Sequence, residues 1–188
     1  MNWVLLSSDE DEAIAAIAGH LVNTDRFTPH HALQQDTDYN LLYVAHGTST
    51  SGTPQALVDT GLDKLIPRAT TVFGLSCYSY FYLRSRDIPC YVGFDCAPWY
   101  PLTTDFCVLK CWSALYAGLG QAITSSHHLT GDTLTAIDAE YCRAIDHLDT
   151  LPPSVDSLFS AMVLSAQRTA LVGKCQYNAA SFGRADPS

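Results

Sequence analysis

The chain has 188 residues, 47% of them hydrophobic and 15% charged, which suits one domain with a sizeable packed core. Ten basic residues against nineteen acidic ones leave a formal net charge of -9, without the Lys and Arg excess that phosphate backbones attract. A nucleic-acid partner is therefore not expected.

Trp3-Val4-Leu5-Leu6 is a short apolar run that predicts a strand, and Ile14, Ile17, Leu21 and Val22 then recur at helical spacing. Ser8 or Asp9 is expected to cap that helix, with the acids at 9–12 favouring its positive end. The same acids do not fit a secretory signal, which opens on basic residues. Residues 24–38 are polar and read as a connection with one short strand near Arg26 and Phe27.

Leu41–Ala45 is a continuous β-prone run, as in a strand covered on both faces, and it stops at His46-Gly47. A Ser/Thr/Gly loop over 48–53 follows, and Pro54 opens a helix carrying Leu57, Leu62, Leu65 and Ile66. Thr70–Leu75 is the next buried strand and runs straight into Ser76-Cys77. Cys90–Phe94 is a fourth, closed by Asp95 and a turn at 97–101 whose Trp99 and Tyr100 are candidate groove residues.

From Asp105 the pattern turns helical over 106–119, 133–148 and 155–172, and Pro152-Pro153 separates the last two. The expected fold class is α/β, with a mostly parallel sheet and a helical C-terminal half, and one domain spanning 1–173. Residues 174–188 are expected to be a mobile extension. The apolar segments at 41–45 and 108–119 read as too short or too interrupted to span a bilayer, so no membrane is expected and the location is cytoplasmic.

Strands alternating with helices place ligand sites beyond the strands' carboxyl ends. His46 and Cys77 both fall there, 31 residues apart, a separation that holds one strand-helix-strand unit. An imidazole beside a thiol is the usual way to make a thiolate nucleophile. The other cysteines read differently. Seven in all, without the dense framework of a small secreted scaffold, are expected to be reduced, and Cys107, Cys111 and Cys142 are expected to be inert. Cys90, Cys96, Cys107 and Cys111 lack the paired C-x-x-C spacing of a zinc site, so no metal or other cofactor is expected. His30-His31 and His127-His128 read as surface.

Leu42-Tyr43-Val44-Ala45-His46-Gly47 and Phe73-Gly74-Leu75-Ser76-Cys77 resemble the His-Gly and strand-Cys motifs of the caspase-like cysteine peptidases (clan CD), in particular the bacterial CHAT domains. The likeness continues more faintly through Tyr91–Asp95 and Trp112–Tyr116 and covers roughly residues 3–125. It implies a caspase-hemoglobinase-like three-layer sandwich and peptide-bond hydrolysis by a Cys77–His46 dyad. It also implies that the backbone N–H groups of Gly47 and Cys77 hold the oxyanion. The chain has Leu-Ser-Cys where animal caspases have Gln-Ala-Cys, and its His lies closer than the usual fifty or so residues, so aspartate specificity does not carry over.

By the same resemblance the specificity pocket forms around the end of the first strand and the strand after the Cys, which here offer Ser8, Asp9 and Asp95. An acidic pocket of that kind predicts a basic residue before the cut. The resemblance further implies a protein substrate, with a bacterial gasdermin in anti-phage (antiviral) defence as a family precedent, and regulation by an upstream activator. The rival expectation is a caspase-like scaffold that no longer turns over. A doubly wound ligand-binding protein is disfavoured by the lack of any glycine-rich phosphate motif.

Overall fold

The computed structural model describes residues 2–8, 11–22, 26–28, 38–97, 103–126, 129–175 and 180–182. The first half contains β1 (Asn2–Ser7), α1 (Glu12–Val22), β2 (Phe27–Thr28), β3 (Tyr39–Val44), α2 (Gln55–Asp59), α3 (Leu62–Leu65), β4 (Ala69–Leu75), α4 (Ser79–Arg84) and β5 (Cys90–Phe94). The second half contains α5 (Phe106–Thr124), α6 (Gly131–Thr150), α7 (Val155–Thr169), β6 (Leu171–Cys175) and β7 (Ala180–Phe182). The strands form one sheet in the order β2-β1-β3-β4-β5-β6-β7. Strands β1 to β5 pair in parallel, while β6 and β7 join antiparallel. The mostly parallel α/β reading therefore holds.

Alternate residues along each central strand serve opposite faces, as the period of two requires. Leu42, Val44, Phe73, Leu75, Val92 and Phe94 join a cluster with Leu21, Trp112, Tyr116 and Tyr141 from α1, α5 and α6. Leu41, Tyr43, Val72 and Tyr91 join a second cluster with Leu57, Leu62, Tyr82 and Leu83 from α2 to α4. All six residues of β3 are buried, which is why its sequence reads as an unbroken apolar run. The chain starts in β1, moves outward to β2 and returns on the other side as β3. The carboxyl ends of β1 and β3 thus flank a topological switch point, where open parallel sheets place their sites.

Several expectations need correction. The described cap of α1 is Asp11 rather than Ser8. Ser8 N–H continues the ladder to Val44 O at 3.1 Å, Asp9 lies outside the described residues, and Asp11 caps α1 by accepting from Ile14 N–H at 3.0 Å. The single helix expected after Pro54 is broken at Gly61, whose φ of 106° lies in the left-handed region. Helix α4, directly after Cys77, was not expected at all. The last helix stops at Thr169, because Leu171–Cys175 pairs antiparallel with β5 and buries Val172 and Cys175 on the sheet. A boundary at 173/174 would cut through β6, and the expected extension supplies the rest of that strand and β7.

Helix α5 is the one described helix long and apolar enough, by length and composition alone, to cross a membrane. Half of it is buried, with Trp112, Leu115, Tyr116 and Leu119 in the core against α1 and α6.

The reduced-thiol expectation fails for one pair. Cys90 and Cys175 stand directly opposite each other in the β5–β6 register, with Cα atoms 4.0 Å apart, and are joined as a disulfide. Cys77, Cys96, Cys107, Cys111 and Cys142 are free. Alkylation of the denatured, unreduced protein is expected to label five cysteines, rising to all seven after reduction, as read from intact mass. Seven labels without reductant would remove the bond.

Candidate functional site

The site lies where β1, β3, β4 and β5 end. The β3–β4 register closes at Val44↔Leu75, and the next ladder hydrogen bond, Ala45 N–H to Leu75 O at 3.4 Å, carries the pairing beyond the strands. Two residues beyond Ala45, Gly47 packs against the Cys77 backbone, so His46 and Cys77 leave from neighbouring segments. Neighbouring parallel strands are about 4.8 Å apart, so the imidazole and the thiol start from adjacent backbones.

Glycine makes this closeness possible. A Cβ on Gly47 would stand 2.1 Å from Cys77 O and 2.6 Å from Ser76 Oγ, so only a residue without a side chain fits between His46 and the Cys77 strand end. The following loop presses on the same turn. Gly52 takes a φ of +65°, and a Cβ there would be 1.8 Å from Tyr78 O. Thr48, Ser51 and Thr53 bind one another to hold that loop. Thr48 Oγ1 lies 2.8 Å from Ser51 Oγ, which lies 2.7 Å from Thr53 Oγ1.

Past Cys77 the chain turns sharply. Tyr78 has a φ of 53°, uncommon for a residue with a Cβ, and leads into α4. Ser79 staples the turn from beneath, its hydroxyl donating to Gly74 O at 2.7 Å and accepting from Phe94 N–H at 2.9 Å. The turn lifts Cys77 out of the buried strand, leaving it half-buried, while Ser76 and Ser79 on either side are buried.

Burial pushes the Cys77 thiol above its ordinary value of 9.0, and the backbone N–H groups of Gly47 and of Cys77 itself, both directed at the sulfur, pull the other way. The atoms that favour negative charge here are thus main-chain donors from the two residues that the resemblance marks as the oxyanion pair.

Sequence reasoning missed a third side chain. Asp11 Oδ2 lies 2.6 Å from His46 Nε2, while its other oxygen caps α1. Its pKa is lowered, first by the Ile14 N–H and then by His46. A carboxylate only accepts, so Nε2 carries the proton in this contact. The pair is about half exposed, 51% for His46 and 45% for Asp11, so it adds little to stability and serves to orient the ring. The only signal in the sequence was the acidic run at the start of α1, from which nothing singles out Asp11.

Asp11→Asn should preserve the cap, since Asn caps as well as Asp, and remove the carboxylate. We expect a melting temperature close to wild type and catalysis lowered roughly tenfold or more, as for an orienting group beside a catalytic imidazole. The sign with pH follows from the lowered pKa. The stabilisation from Asp11 is complete above its ordinary 3.8 and is lost as pH falls through its lower folded value, and melting curves of Asp11→Asn should lack this component. Unchanged rates would exclude an orienting role.

The pocket residues separate. Ser8 is only 6% exposed and its N–H is held by Val44 O. Asp95 is half-buried past β5, its N–H donating to Ala170 O at 3.0 Å. Across the order β1-β3-β4-β5, Ser8 and Asp95 flank the His46–Cys77 centre on opposite sides, roughly 14 Å apart at three interstrand steps. Asp9 lies outside the described residues, as do Trp99, Tyr100, His30, His31, His127 and His128. Of the cysteines expected to be inert core residues, Cys111 is buried and its thiol donates to Ala144 O at 3.2 Å, whereas Cys107 is exposed and Cys142 half-buried.

No protein-family model matches the chain, and no curated protein or solved structure is significantly similar to it.

Proposed function

We propose that the chain is a caspase-like cysteine endopeptidase in which Cys77 is the nucleophile, His46 the base and Asp11 the group that orients His46. The observation that carries this reading is the row at the sheet's carboxyl edge, where Gly47 packs against the Cys77 backbone and sets His46 one strand from the thiol. In the proposed reaction His46 takes the thiol proton and Cys77 Sγ attacks the peptide carbonyl. The N–H groups of Gly47 and Cys77 then bear the oxyanion. Protonated His46 returns its proton to the leaving amine, and water hydrolyses the thioester.

In this proposal Asp95 receives a basic side chain before the cut, with buried Ser8 in the wall of the pocket. The substrate is a protein segment able to enter the edge in extended form. A pore-forming gasdermin partner and an upstream activator remain the precedents that the resemblance supplies.

A second reading, a caspase-like scaffold without turnover, draws on the burial that keeps the Cys77 thiol protonated. A mixed peptide library separates the two. Wild type and Cys77→Ala are incubated with it, with and without cell lysate as a source of activator, and every cut is mapped by mass spectrometry. Cuts made only by wild type, after Arg or Lys, support the peptidase and the acidic pocket. Cuts after other residues keep the peptidase and discard the pocket, and silence in every arm favours the scaffold.

A further inference from the structure

The edge row does not end at Cys77. The β4–β5 pairing runs through Phe73↔Val92, and beyond both strands Tyr78 N–H donates to Cys96 O at 2.9 Å. Although Ser79 Oγ comes between Gly74 O and Phe94 N–H, this bond brings the backbone of the Cys77–Tyr78 turn against Cys96. Both thiols are free and half-buried, and each is close enough to the other for ionisation of Cys77 to oppose that of Cys96.

We infer that Cys96 is a resolving cysteine, which captures oxidised Cys77 as a reversible Cys77–Cys96 disulfide and so switches the site off and protects it. The oxidant is a hydroperoxide. Cys77 Sγ attacks the O–O bond, takes up a hydroxyl as sulfenic acid and gives up two electrons, and the peroxide leaves as water or alcohol. Cys96 Sγ then displaces that hydroxyl, which departs with the Cys96 proton as water, and the S–S bond forms. A dithiol reductant reverses the step. The loss of activity rests on the peptidase reading above, but formation of the bond does not.

The test treats the full chain, as wild type, Cys96→Ser and Cys107→Ser, with hydrogen peroxide and maps cysteine products by mass spectrometry, with and without dithiothreitol. Melting curves first establish that each variant is folded. Wild type and Cys107→Ser are expected to lose two hydrogens as a link between the peptides holding Cys77 and Cys96, and to regain full Cys77 labelling after reduction. Cys96→Ser should run on to sulfinic acid at Cys77, which dithiothreitol does not restore. If Cys77 is unmodified, links elsewhere, or overoxidises equally with and without Cys96, the inference is wrong. If the 77–96 link forms in a protein that cuts no peptide, the inference stands and the peptidase reading falls.

Discussion

Cys77→Ala should lower kcat/KM on any peptide cut by wild type by at least about a thousandfold, the scale on which removing a covalent nucleophile acts. The fold should survive. Cys77 is half-buried at a turn held by Ser79 and by the Tyr78–Cys96 bond, so losing one sulfur costs on the order of 1 kcal/mol or less. The buried thiol makes the dependence steeper. Burial raises its pKa and so favours the protonated thiol, and turnover is therefore expected to depend on proton removal by His46. His46→Ala should therefore approach the Cys77→Ala rate, and the double variant should be no worse than either alone, because the two act as a unit. Initial rates for the four proteins form the measurement. Additive losses would mean that the two residues do not share a step.

The parts of this site that were legible in the sequence depend on backbone periodicity. Leu41–Ala45 and Thr70–Leu75 are buried on both faces, so they read as strands, and the residues that end them fall at one edge because parallel strands share a direction. His46-Gly47 and Cys77 could be paired on that ground alone. Illegible were features set by a single side-chain torsion or by tertiary pairing. Asp11 faces His46 while it caps α1, a placement that the acidic run does not encode. Leu171 and Val172 continue the apolar pattern of α7, and only pairing with β5 makes them a strand. Cys90 and Cys175 are 85 residues apart, and nothing in their spacing announces a cross-strand bond. Helix α4 is six residues long and is preceded by Tyr78 with positive φ, which no helical period could have suggested.

Gly47→Ala tests the geometry of the site without touching its chemistry. The added methyl would meet Cys77 O at 2.1 Å, and because that atom belongs to the backbone it cannot swing aside as a flexible side chain could. The His46-Gly47 segment must move away from β4, taking both the imidazole and the Gly47 N–H with it. An offset of about 1 Å at a catalytic constellation costs on the order of a hundredfold, and we expect kcat/KM to fall by that factor or more. Overpacking should cost about 1–3 kcal/mol as well, so stability must be separated from alignment. Gly19→Ala provides the means. Gly19 lies in α1 with nothing within 4 Å of an added Cβ, and the change should stabilise the helix by about 0.5–1 kcal/mol while leaving activity alone. In the double variant the melting temperature should recover part of its loss and the rate none of it. Rates that rise together with the melting temperature would mean that Gly47 acts through stability, and the close approach of His46 to Cys77 would then have no catalytic weight.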